Sequence, residues 1–223
     1  MATISSTIET MADLLEQLHI PPERILLRPP PGEATEVDLL KTPRLCELID
    51  GVLVEKAVGL RGSFLAVDLG RFVGNFVDER DLGICTGADG AVRLMPRLVR
   101  IPDFSVILWD RLPNHEVPND PIPDLAPYLA VEVLSENNTK GEMERKLRDY
   151  FATGVELVWY VDPETRSVAV FTSLKDRVLL LEADTLEGGS VLPGFRLPLK
   201  KLFAKLSQQP RQRRGKGRNG RAS

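Results

Sequence analysis

The chain has 223 residues, of which 43% are hydrophobic, and a formal net charge of −3. This length and composition fit one sizeable globular domain with a small N-terminal addition. No run approaches 18 consecutive apolar residues, and the N-terminal segment lacks the pattern of a secretory signal, so we expect a cytoplasmic protein without a membrane span. The two cysteines are expected to be reduced. Two histidines are too few for a zinc site, so any metal would have oxygen ligands.

The charge is unevenly distributed along the chain. The segment 210–223 carries six basic residues and no acidic one, which leaves residues 1–209 strongly acidic. We expect residues 207–223 to form a disordered basic tail, because almost no apolar residue is available to anchor it. Such a tail attracts phosphate backbones nonspecifically, but a purely solubilising role explains it equally well.

The N-terminal part of the chain predicts an arm that precedes the main domain. Residues 8–18 have apolar side chains at helical spacing, and a proline-rich stretch leads to a second short helix around 35–40. We therefore expect residues 1–40 to form a helix and a proline-rich arm packed on a core domain of residues 41–206. Near the start of this domain, Asp50-Gly51 predicts a hairpin turn between two short strands.

The rest of the domain alternates between helical and strand patterns. Residues 64–78 predict a helix with a broad buried face, and Thr139 followed by Glu142 predicts a capping box at the start of a later helix. The later predictions, in chain order, are one or two strands in 83–94, one strong strand over 99–109, a strand at 129–135, a helix at 140–153, a hairpin of 155–162 and 167–173, a strand at 177–183, and irregular structure with a short helix over 191–203. Together these elements predict an α/β (α+β mixed) fold with a central mixed β-sheet, flanking helices and β-hairpin additions.

Two of the predicted strands each place a carboxylate among apolar residues. Because alternate residues of a strand share a face, Asp103 lies on the face of Ser105, and Glu132 lies on the face of Ala130 and Leu134. If the two strands are neighbours, Asp103 and Glu132 converge within a few ångströms. Two carboxylates that close repel each other, and a hard divalent cation such as Mg²⁺ removes the repulsion.

A lysine and a third acid are predicted to complete this site. Lys146 lies at the edge of the buried stripe of the 140–153 helix, so its long stem can deliver an ammonium beside Glu132. Glu47 can approach from the strand before the Asp50-Gly51 turn. Three acids and a lysine suit metal-assisted hydrolysis of a phosphodiester, in which Mg²⁺ (or Mn²⁺) activates a water and the lysine orients it or stabilises charge.

The sequence resembles the PD-(D/E)XK restriction-endonuclease-like superfamily and, within it, the Uma-two family of restriction endonucleases. The matching segments are 47-ELIDGVLVEK-56, 100-RIPDFSVI-107, 130-AVEVLS-135, 146-KLRDYFATGV-155, 158-VWYVDP-163 and 192-LPGF-195. The resemblance implies a Mg²⁺-dependent DNA endonuclease in which Glu47, Asp103 and Glu132 hold the metal and Asp103, Glu132 and Lys146 are catalytic. By analogy with enzymes that cut two DNA strands, a homodimer is expected.

Three positions depart from the family pattern. Leu134 stands where the superfamily has its lysine, two residues after the second acid, and Lys146 is expected to replace it. Tyr128 stands where relatives have an aspartate, and Gly62 stands where relatives often have a histidine or an acid.

Two other functions therefore stay open: a non-catalytic nuclease-fold protein for nucleic-acid binding or assembly, and a hydrolase of a smaller phosphoester. The net negative charge of residues 1–209 disfavours tight binding to DNA. We expect the basic tail, together with Arg93, Arg97 and Arg100, to offset this charge.

Overall fold

The computed structural model describes residues 10–57 and 59–207. The predicted tail lies outside these residues beyond Ser207. The helices are α1 (Met11–Leu18), α2 (Glu36–Lys41), α3 (Leu60–Glu79), α4 (Lys140–Ala152) and α5 (Leu199–Phe203). The strands are β1 (Cys46–Ile49), β2 (Val52–Glu55), β3 (Gly83–Thr86), β4 (Val92–Met95), β5 (Leu98–Arg100), β6 (Phe104–Leu108), β7 (Leu129–Val133), β8 (Leu157–Asp162), β9 (Ser167–Phe171), β10 (Arg177–Leu181), β11 (Thr185–Gly188) and β12 (Leu192–Pro198). No helix within the described ranges is both long and apolar enough to cross a membrane.

The strands form a six-stranded sheet, a four-stranded sheet and a separate hairpin. The six-stranded sheet has the order β10-β9-β8-β7-β6-β3, and the four-stranded sheet has the order β2-β1-β5-β4. In the larger sheet β7 and β8 are parallel and are joined by α4, as a parallel pair requires a crossover, while its other neighbours are antiparallel. The predicted mixed α+β fold class is confirmed.

The six-stranded sheet is the central layer because each of its faces is covered by a helix. On one face, apolar residues of α3 such as Leu65 and Leu69 share a cluster with Val131 of β7. On the other face, Met143 and Leu147 of α4 pack with residues of β7 to β9. The two sides of β7 therefore differ. Its odd-numbered residues face α3, and its even-numbered residues, including Glu132, face α4.

The N-terminal arm packs against the four-stranded sheet and α4. Helix α1 begins with a capping box between Thr10 and Asp13, and its Leu14 and Leu18 lie in a cluster with β1 and β2 residues. Arg24 then donates two hydrogen bonds of 2.9 Å to the buried carboxylate of Glu142 on α4. This bidentate pair fixes the arm beside the helix that carries Lys146.

The expectation of one strand over 99–109 is wrong, because this segment is divided between the two sheets. β5 pairs with β1 and β4, whereas β6 pairs with β3 and β7. The break falls at Ile101 to Asp103, where Pro102 has no backbone N–H to contribute to a ladder. Because the chain passes here from β5 to β6, this segment connects the two sheets directly.

Two smaller predictions also need correction. Residues 192–198 form β12, which pairs with β11 in a hairpin, instead of the irregular structure expected for this stretch. The predicted capping box of α4 is only half formed: the Thr139 hydroxyl accepts from the Glu142 N–H at 3.1 Å, but the Glu142 carboxylate is taken by Arg24.

Candidate active site

Asp103 immediately precedes β6, and Glu132 lies on the neighbouring antiparallel strand β7. β6 and β7 pair with Phe104 opposite Val131, a register that places Asp103 across from Glu132 on the same face. The Asp103 N–H donates to the Val131 carbonyl at 3.0 Å, and its Oδ2 accepts from the Val133 N–H at 2.8 Å. The predicted adjacency of the two strands is confirmed, and the backbone of β7 fixes the Asp103 carboxylate.

Lys146 and Tyr150 on α4 hold the Glu132 carboxylate. The Lys146 Nζ donates to Glu132 Oε2 at 2.9 Å, so the predicted approach of this lysine is confirmed. The Tyr150 hydroxyl donates to Glu132 Oε1 at 2.5 Å. Lys146 and Tyr150 are one turn apart on the helix, and all three side chains are buried.

Glu47 on β1 lies behind this pair. Its Oε1 is 3.3 Å from the Lys146 Nζ and accepts from the Ile101 N–H at 3.1 Å, and its Oε2 accepts from Arg100 Nη1 at 2.7 Å. Only 1% of the Glu47 side chain is exposed. This arrangement does not favour the predicted role of Glu47 as a third metal ligand, because it already serves as the acceptor that orients Lys146 and Arg100.

Arg100 is a buried counter-ion. Only 1% of its side chain is exposed, and besides Glu47 it binds the Asp149 carboxylate of α4. This placement runs against the prediction that Arg100 contacts nucleic acid, because a ligand would have to break both ion pairs to reach it.

The other two arginines of the predicted nucleic-acid surface lie nearer to solvent. Arg93 is paired with Glu36 and Asp124. Arg97 is exposed and donates to the Asp50 carbonyl at 2.9 Å. Their role in nucleic-acid binding stays a prediction.

Lys56 is a member of the site to which the sequence reasoning assigned no role. It follows β2, and its Nζ donates to Asp103 Oδ1 at 2.9 Å and to the Ile101 carbonyl at 2.5 Å. One sequence signal could have identified it: Val52, Val54 and Lys56 alternate along the strand, which predicts a third inward-facing residue. The structure confirms that Lys56 is buried.

A cleft of about 890 Å³ opens onto this group of charges. Asp103 and Lys56 line it, whereas Glu132, Glu47 and Lys146 lie behind its wall. The start of α3, the residues after β7 and the turn after β8 form the rest of the lining, which includes Leu134 and Gly62, two of the positions that depart from the family pattern. Asp103 is therefore the predicted acid that a ligand entering the cleft meets first.

The third departing position, Tyr128, lies at the entry to β7. Its hydroxyl donates to Asp110 at 2.5 Å, and the Arg111 guanidinium lies 3.6 Å from the centroid of its ring. The expected aspartate is thus replaced by a residue with a local packing role.

The burial of so many charges perturbs their protonation equilibria. Burial, together with the negative charges of Asp103 and Glu47, raises the pKa of Glu132 above its ordinary value although Lys146 opposes the shift. Burial alone would lower the pKa of Lys146, but Glu132 and Glu47 outweigh it and raise that pKa. Burial and the Glu132 charge raise the pKa of Tyr150 well above 10. Lys146 is therefore a cation and Tyr150 a neutral donor at physiological pH.

The two carboxylates of Asp103 and Glu132 are donors of the type that a hard divalent cation prefers. Each carboxylate offers about four lone-pair sites, and two hydrogen bonds to each leave acceptor capacity free. The repulsion between these two acids, one cause of the raised pKa of Glu132, is what a cation relieves. In the described ranges, however, no three His, Cys, Asp or Glu side chains are gathered as a metal site. A metal here would rest on two carboxylates.

The mixed sheet with helices on both faces is similar in fold to a solved structure. The crystal structure of a putative nuclease of the DUF820 group from Anabaena variabilis matches with a TM-score of 0.68, covering 78% of this chain and 99% of that one. At 21% identity the likeness shows the fold alone. The model of the Uma2 family, described as a putative restriction endonuclease, matches residues 36–200. The chain belongs to this family, and the predicted resemblance is confirmed. No curated protein matches the sequence.

Proposed function

We propose that this protein is a Mg²⁺-dependent DNA endonuclease that hydrolyses phosphodiester bonds in the cleft above Asp103. One observation carries the proposal: Asp103 lines the cleft, and Glu132, with Lys146 bound to it, is buried directly across from Asp103 behind the cleft wall. Membership of a family of putative restriction endonucleases supports nucleic acid as the substrate.

Asp103 and Glu132 are the residues that would hold the metal. When bound there, Mg²⁺ (or Mn²⁺) supplies Lewis-acid polarisation of the phosphate and lowers the pKa of water. The protein's own groups fix this pair. The backbone N–H of Val133 orients Asp103, while Lys146 and Tyr150 each donate a hydrogen bond to Glu132 and hold its carboxylate in one orientation. Lys146 thus acts on the reaction mainly through Glu132, since it is buried behind the cleft wall.

The start of α3 and the turn between β8 and β9 form one side of the proposed substrate cleft. Here Arg61 bonds to Glu164 and to the Pro163 carbonyl, which ties the start of α3 to the β8–β9 turn. Arg93 and Arg97 are the proposed contacts to more distant phosphates, in keeping with the nonspecific electrostatic part of DNA binding. We further propose a homodimer, since cutting both DNA strands needs two active sites or two successive cuts at one site.

Plasmid nicking tests the proposal. Purified protein is incubated with supercoiled plasmid and Mg²⁺ or Mn²⁺, beside Asp103→Asn, Glu132→Gln and the matched control Glu136→Gln. Glu136 is an exposed acid that also lines the cleft, so its variant tests whether any loss of cleft charge is enough. We expect nicking by the wild type and by Glu136→Gln that either of the other substitutions lowers at least about 100-fold. Equal nicking by all four proteins would indicate contamination and contradict the proposal.

One observation favours a non-catalytic protein as the second candidate. Every carboxylate oxygen of the predicted metal set already accepts from a side chain or a backbone N–H. A site neutralised in this way can preserve the fold for nucleic-acid binding without cleaving. Metal-independent DNA retention in a gel-shift assay, with no nicking under any metal condition, would favour this candidate over the nuclease.

A further inference from the structure

Lys56 places a positive charge against Asp103, the acid of the proposed metal site that lines the cleft. Its ammonium contacts one carboxylate oxygen and one backbone carbonyl oxygen, Asp103 Oδ1 and Ile101 O, which are the kinds of oxygen that hard metal ions select. Its side chain is 6% exposed and lines the cleft beside Asp103. A lysine ammonium is a compact point charge with three donors, so it can satisfy such oxygens much as a small cation does.

The formal charges of the site point the same way. The group contains four acids and three bases: Lys56 pairs with Asp103, and Arg100 and Lys146 form a separate network of ion pairs with Glu47, Glu132 and Asp149. With all three bases charged, the group carries one net negative charge, and adding a divalent ion makes it net positive. Without the Lys56 charge, the same divalent ion brings the group to neutrality. Burial makes such an imbalance costly.

We propose that Lys56 is a built-in competitor of the divalent cation at Asp103, so that metal binding requires the Lys56 ammonium to leave this carboxylate. The inference rests on the proposed metal site but not on DNA cleavage. It assigns to Lys56 a positioning role in the free protein: it holds Asp103 ready and limits metal occupancy. The flexible four-carbon stem, which ends inside the cleft, gives the ammonium room to move aside.

Metal binding by charge variants of Lys56 tests the inference. Mn²⁺ affinity of the full chain is measured by calorimetric titration for the wild type, Lys56→Met, Lys56→Gln and Lys56→Arg. The matched control is Lys205→Met, which removes another lysine–aspartate pair, with Asp68 at 2.8 Å, from a different part of the fold. We expect the two neutral variants to bind Mn²⁺ at least about tenfold more tightly, because like charges in contact cost several kcal/mol. Lys56→Arg and Lys205→Met should match the wild type.

Equal affinity in the neutral variants and the wild type would overturn the inference. If both neutral variants fail to fold, the wild type itself gives the answer through the ¹⁵Nζ resonance of Lys56. That resonance should lose its salt-bridged position when Mg²⁺ binds, and an unchanged resonance in the metal-bound protein would overturn the inference. Tighter metal binding by Lys56→Met without plasmid nicking would uphold it and contradict the proposed nuclease function. Plasmid nicking by the wild type, without tighter Mn²⁺ binding by Lys56→Met, would overturn the inference and uphold the proposed nuclease function.

Discussion

Replacing Lys146 with methionine removes the cation that joins two buried acids. Methionine has a stem of similar length and fills the space along α4, so the main change is the loss of one charge. The Lys146 ammonium lies 2.9 Å from Glu132 and 3.3 Å from Glu47, and its removal leaves both carboxylates buried with fewer partners. Arg100 still pairs with Glu47, but Glu132 keeps only the Tyr150 hydroxyl.

The expected destabilisation is about 3–5 kcal/mol at neutral pH, the usual cost of breaking a buried ion pair from one side. The effect depends on pH with a definite sign. Without Lys146, the pKa of Glu132 in the folded state rises further above its unfolded value, so the folded variant binds more protons than the unfolded chain. Its stability relative to the wild type should therefore improve as the pH falls from 7 towards about 4.3, the unfolded value of a glutamate.

Urea unfolding followed by the fluorescence of the buried Trp159 measures this difference in the free energy of unfolding. Lys205→Met is the control, and it should cost only about 0–1 kcal/mol because that ion pair is half exposed. The double variant Lys146→Met/Glu132→Gln should recover at least about 1 kcal/mol of the loss. A loss for Lys146→Met below about 1 kcal/mol, or one that does not change between pH 7 and pH 5, would refute the reasoning.

Three further outcomes are expected. Tyr150→Phe removes the hydroxyl donor of Glu132 and should cost about 1.5–3 kcal/mol in the same unfolding assay, and no measurable cost would contradict the assigned hydrogen bond. Desolvation raises the pKa of the half-buried Cys85 to about 12 from an ordinary 9.0, so its alkylation at pH 8 should be on the order of a thousandfold slower than in urea, and an equal rate would contradict the raised pKa. Arg24→Met breaks the bidentate pair with Glu142, so it should lower the free energy of unfolding by about 2–4 kcal/mol and speed proteolysis of the N-terminal arm. An unchanged rate of proteolysis would contradict the role of this ion pair in holding the arm.

The elements of the central sheet and the Glu132 pair could be predicted because they follow from local periodicity. Strand alternation placed Asp103 and Glu132 on one face, and helical spacing placed Lys146 at the edge of the α4 stripe. Both inferences needed only that neighbouring predicted strands pair, which sequential strands commonly do. The 99–109 segment failed because its apolar pattern continues across Pro102 while its hydrogen bonding changes partner.

The remainder of the site depends on how the two sheets meet, which no local pattern contains. Arg100 seemed a surface arginine because a buried arginine is rare, and only the approach of Glu47 and Asp149 explains its burial. Lys56 was within reach of strand alternation, but its contact with Asp103 requires the chain to cross from one sheet to the other. Side chains that pair across separate sheets need the tertiary structure.

The position of a bound metal tests the central claim most directly. Crystals of the full chain are soaked in saturating Mn²⁺, and anomalous scattering locates the ion. We predict a peak in contact with the carboxylate oxygens of Asp103 and Glu132, at about 2.0–2.2 Å, with the Lys56 ammonium displaced from Asp103. Mn²⁺ bound only elsewhere, with Lys56 still on Asp103, would contradict a metal-dependent active site in this cleft.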